Sequence, residues 1–189
     1  MPIIAKLTLG HYQFEALHPY HNGNGRLGRL VTILQLMADG VLSHPIMNLS
    51  PYFDAHRERY RDHLLEISVS GRFDDWVVFF SGAVEAEAKE GIQIIGRILE
   101  FREATTCNLK EANTRGAVLD LVDIIIAYPL IDVPTASEQL GRTFETANQA
   151  VNRLVDRGIL REITGRTMNR VFACDTILRL TSPHRPRAS

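Results

Sequence analysis

The sequence predicts a mainly α protein in two parts: a helical core over residues 1–130 and a small unit of helices with a β-hairpin over residues 131–189. Three observations carry this reading. Apolar side chains recur at helical spacing through most of the first part. Pro129 and Pro134 bracket a short connection, and beyond it two short helical stretches are followed by two strand-like runs. Charge changes at the same place. Met1 to Pro134 carries 12 Lys+Arg against 17 Asp+Glu, whereas Thr135 to Ser189 carries 9 Arg against 5 Asp+Glu. An acidic part followed by a basic one suggests two units with different partners.

Composition narrows the class further. The chain has 189 residues, 45% hydrophobic and 23% charged, which suits a globular protein with a buried core. No apolar run is long enough to span a bilayer, so no membrane partner is expected. Met1-Pro2-Ile3-Ile4-Ala5-Lys6 lacks the basic and apolar regions of a secretory signal. Cys107 and Cys174, far apart in sequence, suit a reducing cytoplasm and not a disulfide scaffold.

The elements follow in order. Ile3 or Ile4, Leu7, Phe14 and Leu17 mark a first helix, which should stop at His18 because Pro19 follows. Asn22, Gly23, Asn24 and Gly25 make a loop. From Arg26 a second helix carries Leu27, Leu30, Val31, Leu34 and Met37 to a stop at Gly40; apolar over much of its surface, it is expected to be central. Ser50-Pro51 starts a third helix that carries Phe53, Tyr60, Leu64 and Ile67 on one face and breaks at Ser70-Gly71. Asp74 caps a long helix bounded by Thr105-Thr106, and another runs from about Glu111 to Ala127. In the tail, Thr135-Ala136-Ser137-Glu138 reads as a capping box. A second tail helix starts near Thr143 and ends at Gly158, and strands over Ile159–Thr164 and Asn169–Cys174 are joined at Gly165-Arg166. Helix, tight turn, helix, hairpin is the order of a winged helix-turn-helix.

The loop between the first two helices carries the chemistry. Gly23-Asn24-Gly25 lets consecutive backbone N–H groups face one concavity, and the next helix adds its positive N-terminal end. Arg26 and Arg29, three apart, share a face of its first turn. Such a site grips a polyphosphate. His18, at the other end of the loop, supplies a base for proton transfer. A bare Gly-x-Gly is more often a tight turn; the ordered set is the informative feature.

His18-Pro19-Tyr20-His21-Asn22-Gly23-Asn24-Gly25-Arg26-Leu27-Gly28-Arg29 resembles the motif of the Fic family, His-Pro-Phe-x-Asp/Glu-Gly-Asn-Gly-Arg-x-x-Arg. The flanks His11-Tyr12-Gln13-Phe14-Glu15 and Ser50-Pro51-Tyr52-Phe53, with the winged-helix tail, resemble the later part of the larger bacterial members. The resemblance implies a helical Fic core and transfer of AMP from ATP to a Ser, Thr or Tyr hydroxyl of a target protein. By position, His18 would be the general base. Asn22, Gly23, Asn24 and Gly25 would hold the phosphates, Arg26 and Arg29 would neutralise them, and Tyr60 would lie near the base. Family members place an acid at the position of Asn22, where it binds Mg²⁺ through the phosphates. Asn offers a neutral oxygen, so weakened Mg²⁺ binding and a reduced rate are expected. Tyr20 replaces the family Phe, and Arg61 stands where a second tyrosine is usual. The family's upstream helices and flap would precede residue 1. Its self-inhibitory Ser/Thr-x-x-x-Glu signature is not matched, since Ala86 stands four residues before Glu90.

Two further readings concern partners. Arg153, Arg161 and Arg166 fall on the second tail helix and the wing, where they are expected to meet DNA phosphates, with Asn148, Gln149 and Asn152 as base readers. Apolar helix faces left without the upstream part point to a homodimer. A degenerate core acting as a nucleotide- or DNA-binding regulatory module is the alternative to the enzyme. His56 and His63 are expected to flank a packed face and not to bind metal. Both cysteines should pack as small apolar residues, and Trp76, Phe79 and Phe80 should be core.

Overall fold

The computed structural model describes residues 1–182, which are mainly helical with one small sheet. Residues 183–189, the end of the expected second part, lie outside the described residues. The described chain divides into two compact units, Met1–Ile92 and Gln93–Ser182. The composition change near residue 131 falls inside the second unit. Among the described residues no helix is long and apolar enough to cross a membrane.

The first unit contains α1 (Ile3–Leu17), α2 (Asn24–Ala38), α3 (Ser50–Ala55), α4 (Arg57–Ser70) and the first half of α5 (Asp74–Glu111). α1 ends where Pro19 requires: His18 takes a left-handed conformation (φ 44°) and its N–H donates to the Phe14 carbonyl. α1 and α2 meet at Gly28. A Cβ built there would lie 2.6 Å from Oε1 of Glu15, 3.2 Å from Phe14 and 3.4 Å from His11. Gly28→Ala is therefore expected to cost about 1–3 kcal/mol, measured as a lowered thermal midpoint.

α2 is not central. Leu27, Leu30, Val31 and Leu34 are exposed, and only Asn24, Gly28, Thr32, Ile33 and Leu36 are buried. One stripe of the helix meets its neighbours, and the apolar residues exceed what that stripe can cover. The expected third helix is two. His56 leaves the helical region (φ -115°, ψ 36°) and separates α3 from α4. Pro51 occupies the first turn of α3. The core of this unit is aromatic: Phe53, Trp76, Phe79 and Phe80 are buried with Leu7, Leu36, Leu49 and Ile67. Trp76 stacks on Phe79 at 5.9 Å and meets Phe80 edge-on at 5.4 Å. His56 and His63 lie against Tyr52 and Phe79, as a packed face requires.

The second unit holds the end of α5, then α6 (Ala117–Ala127), β1 (Leu130–Asp132), α7 (Val133–Leu140), α8 (Phe144–Asp156), β2 (Arg161–Glu162), β3 (Val171–Ala173) and α9 (Asp175–Thr181). The strands are antiparallel in the order β1-β3-β2, with Ile131 opposite Phe172 and Arg161 opposite Ala173. Leu121, Ile125, Ile131, Ala147, Val151, Leu154, Leu160, Phe172 and Ile177 form its core. Four expectations change here. α5 passes through Thr105-Thr106 to Glu111, with Thr105 buried. The cap of α7 is Asp132, whose Oδ1 accepts from the Thr135 N–H at 2.9 Å, so Thr135 lies inside the helix. The strands are shorter than read, and β1 is additional. Cys174 is buried, but Cys107 is exposed and does not pack.

Candidate functional site

The loop from His18 to Gly23 is built by its two ends. Gly23 has φ 85°, a conformation that favours glycine, and caps α2 without any side-chain hydrogen bond. The first N–H groups of α2 are therefore left without a capping side chain. Asn24 holds the loop closed. Its Oδ1 accepts from the Tyr20 N–H at 3.0 Å and its Nδ2 donates to the Tyr20 carbonyl. Asn24 is 2% exposed, and its side chain is the tie of the loop. Gly25 is constrained as well. A Cβ there would lie 3.3 Å from Nη1 of Arg29 and 3.8 Å from Oε1 of Glu15.

Four of the expected site residues line two separate clefts, and Asn22, Gly23, Asn24 and Gly25 line neither. His18 and Tyr60 line one of about 350 Å³ with Tyr12, Glu15 and Arg61. Arg26 and Arg29 line another of about 340 Å³ with Leu30, Met47 and Asn48. His18, Tyr20, Asn22 and Arg26 are exposed, and Arg29 is half-buried. Among the described residues no three His, Cys, Asp or Glu side chains gather around a common point. A neutral amide oxygen on an exposed loop does not fit a tight Mg²⁺ site.

Beneath the loop lies a buried polar network that the sequence reading passed over. Thr32 Oγ1 donates to the Gly28 carbonyl at 3.0 Å. His11 joins it: Nδ1 lies 3.2 Å from Thr32 Oγ1, and Nε2 lies 2.9 Å from the Tyr60 hydroxyl. Burial lowers the His11 pKa to about 4, and the nearby Arg29 charge acts in the same direction. Burial, with the Glu15 charge beside it, pushes the Tyr60 phenol well up. Glu15 is also raised by burial, against the pull of the Arg29 and His18 charges. Among the described residues, Oε1 of Glu15 and Nε of Arg29 are both buried without a hydrogen-bond partner. The available signal was the spacing of His11 and Glu15, four apart on the apolar side of α1.

The basic side chains of the second unit behave differently from one another. Arg161, an exposed side chain, donates to Asp175 in two hydrogen bonds of 2.7 and 2.9 Å. Arg153 and Arg166 are exposed. Arg170 lies over the Phe172 ring at 5.1 Å and donates to Oδ1 of Asn148 at 3.1 Å and of Asn152 at 3.4 Å. These two asparagines therefore tie the hairpin to α8, which conflicts with their expected role as base readers.

Comparison with known proteins gives two findings. The Fic/DOC family pattern matches residues 1–36. A probable protein adenylyltransferase of Aquifex aeolicus (strain VF5) is 36% identical over 56 residues, covering 30% of this chain and 18% of that relative. The chain thus aligns with less than a fifth of that protein's length.

Proposed function

We propose, on the premise that residues 1–36 are a Fic/DOC segment, that this chain transfers AMP from ATP to a hydroxyl side chain of a target protein. One observation carries the reading. The loop presents an N-terminus of α2 with no capping side chain, flanked by exposed Arg26 and half-buried Arg29, and His18 stands at the loop's other end. Backbone N–H groups and guanidinium groups suit a polyphosphate, and phosphoryl-type transfer depends mainly on positioning and charge stabilisation. His18 takes the proton of the target hydroxyl. That oxygen then bonds to the α-phosphorus, and the bond from phosphorus to the pyrophosphate oxygen breaks, releasing pyrophosphate. Tyr60 and Tyr12 line the cleft beside His18. Gly23 and Gly25 keep the loop free of side chains, and Asn24 keeps it closed.

ATP is the donor in this reading. When bound, Mg²⁺ would supply neutralisation of the phosphate charge, but the donor set around Asn22 does not fit it well. The two arginines and the helix N-terminus carry that task instead, and the rate is accordingly low. The order of elements from α6 to α9 supports reading the second unit as a winged helix-turn-helix. Arg153 and Arg166 are its available DNA-phosphate contacts.

The test is incubation of the protein with ATP labelled at the α-phosphate, Mg²⁺ and candidate acceptor proteins. Label transfer is expected to fall about 10²–10⁴-fold in His18→Ala and to rise, with stronger Mg²⁺ dependence, in Asn22→Asp. Nucleotide binding without transfer in both the native chain and Asn22→Asp would favour the regulatory-module reading.

A further inference from the structure

The buried pair of unpartnered atoms beneath the loop has no role in the reading above. Glu15 on α1 and Arg29 on α2 both lie against Gly25, with no nitrogen–oxygen pair between them as close as 4.0 Å. A Cβ on Gly25 would touch Arg29 Nη1 at 3.3 Å and Glu15 Oε1 at 3.8 Å. The Glu15 side chain is 11% exposed, and among the described residues its Oε1 has no donor. On its own helix His11 lies 3.9 Å away, its charged form disfavoured by burial and its Nε2 paired with the Tyr60 hydroxyl; that hydroxyl and His18 also face the carboxylate. Arg29 is the remaining permanent cation next to the carboxylate. Its own Nε is buried and lacks an acceptor. Each group is the obvious complement of the other's deficit. A carboxylate and a guanidinium left in this state cost more than the same two groups held together.

We propose that Glu15 is a positioning residue for Arg29: its carboxylate, reaching past the bare backbone of Gly25, fixes the Arg29 guanidinium under the loop at the place where a polyphosphate is received. Glu15 itself need touch no ligand. The proposal rests on the polyphosphate reading of the loop for its functional half and on geometry alone for its structural half. It also accounts for Gly28, where a side chain would displace the Glu15 carboxylate.

Electrostatics makes the direction of the test informative. If Glu15 acted only as a nearby negative charge, removing it would strengthen the binding of an anion. If it positions Arg29, removing it weakens binding, because the guanidinium is released to solvent. Two measurements on the full chain and on Glu15→Gln separate these. The first is the ¹⁵Nε–¹Hε NMR signal of Arg29. It is expected to be shifted and slowly exchanging in the native chain and to move to the position of an exposed arginine in Glu15→Gln. A signal unchanged by the substitution overturns the proposal. The second is titration with inorganic triphosphate. Affinity is expected to fall about tenfold in Glu15→Gln, the weight of one charge-assisted contact, with no further loss when Glu15→Gln is added to Arg29→Ala. Equal or tighter binding by Glu15→Gln, or an equal loss in the Arg29→Ala background, overturns it. Failure of the native chain to bind triphosphate at all would instead overturn the polyphosphate reading, while the NMR outcome still decides the Glu15–Arg29 pairing. If Glu15→Gln does not fold, Arg29→Gln replaces it. The Glu15 carboxyl, read by ¹³C NMR, is then expected to titrate at higher pH than in the native chain, and an unmoved titration overturns the pairing.

Discussion

Lowering the pH from 7 to 4.5 is expected to destabilise the first unit by about 2–3 kcal/mol through His11 alone. The ring is 2% exposed and surrounded by Phe53, Tyr60, Trp76 and Phe80 at centroid distances of 5.5 to 6.0 Å. Burial is the main cause of its depressed pKa, from 6.5 to about 4. The sign follows from proton counting. Between those two values the unfolded chain binds a proton that the native state refuses, so stability falls as the pH falls through that window. Above about pH 7 the contribution is flat, and below about 4 it levels off. Glu15 opposes the effect, because its raised pKa makes the native state the better proton binder above the ordinary carboxylate range. Urea unfolding at pH 7 and pH 4.5 checks the prediction against His11→Gln. The variant is expected to be less stable at pH 7 and to show a flatter pH dependence. Equal slopes for the two proteins would remove His11 as the source.

Trp76→Ala is expected to cost about 3–5 kcal/mol, a large share of the 5–15 kcal/mol that holds a typical domain together. Trp76 is 1% exposed, and its Nε1–H donates to the Thr8 carbonyl at 3.0 Å, which joins the start of α5 to α1. Its ring covers His11, Phe79 and Phe80. Truncation leaves a cavity lined by aromatic rings that cannot close over it. The first unit should then melt well below the native temperature, with the loss of near-ultraviolet aromatic circular dichroism as the readout. Trp76→Phe keeps most of the volume and loses the hydrogen bond, so its cost should be clearly smaller. An equal cost for both would assign the effect to the Thr8 contact and not to packing.

Much of this architecture was legible from residues. Pro19 and the glycines located the loop between α1 and α2, and Thr143 marked the start of α8, where its hydroxyl accepts from the Thr146 N–H. Misreadings had local causes. Phe53 and Tyr60 are seven apart, a separation that a continuous helix also produces, so the break at His56 left no trace in the apolar pattern. The Thr-x-x-Glu spelling at Thr135 was outweighed by Asp132, three residues earlier, with a carboxylate available to the same stretch of N–H groups. β1 is three residues long and flanked by prolines, and only its partner Val171–Ala173 makes it a strand. The polar network was missed for a different reason. His11, Glu15, Thr32 and Tyr60 are brought together by tertiary packing, and no local spacing announces a contact 49 residues apart. The same holds for Arg161, whose partner Asp175 lies beyond the turn of the hairpin.

The tie between Asn24 and Tyr20 has a consequence for the kinetics of encounter. A glycine loop free in solution samples many shapes, and most collisions with a ligand then fail because the receiving shape is rarely present. Here the ordering takes place when the chain folds, so the loop's shape is set before any ligand arrives. If the loop receives a polyphosphate, as proposed, association should be governed by diffusion and charge and should slow as salt is added.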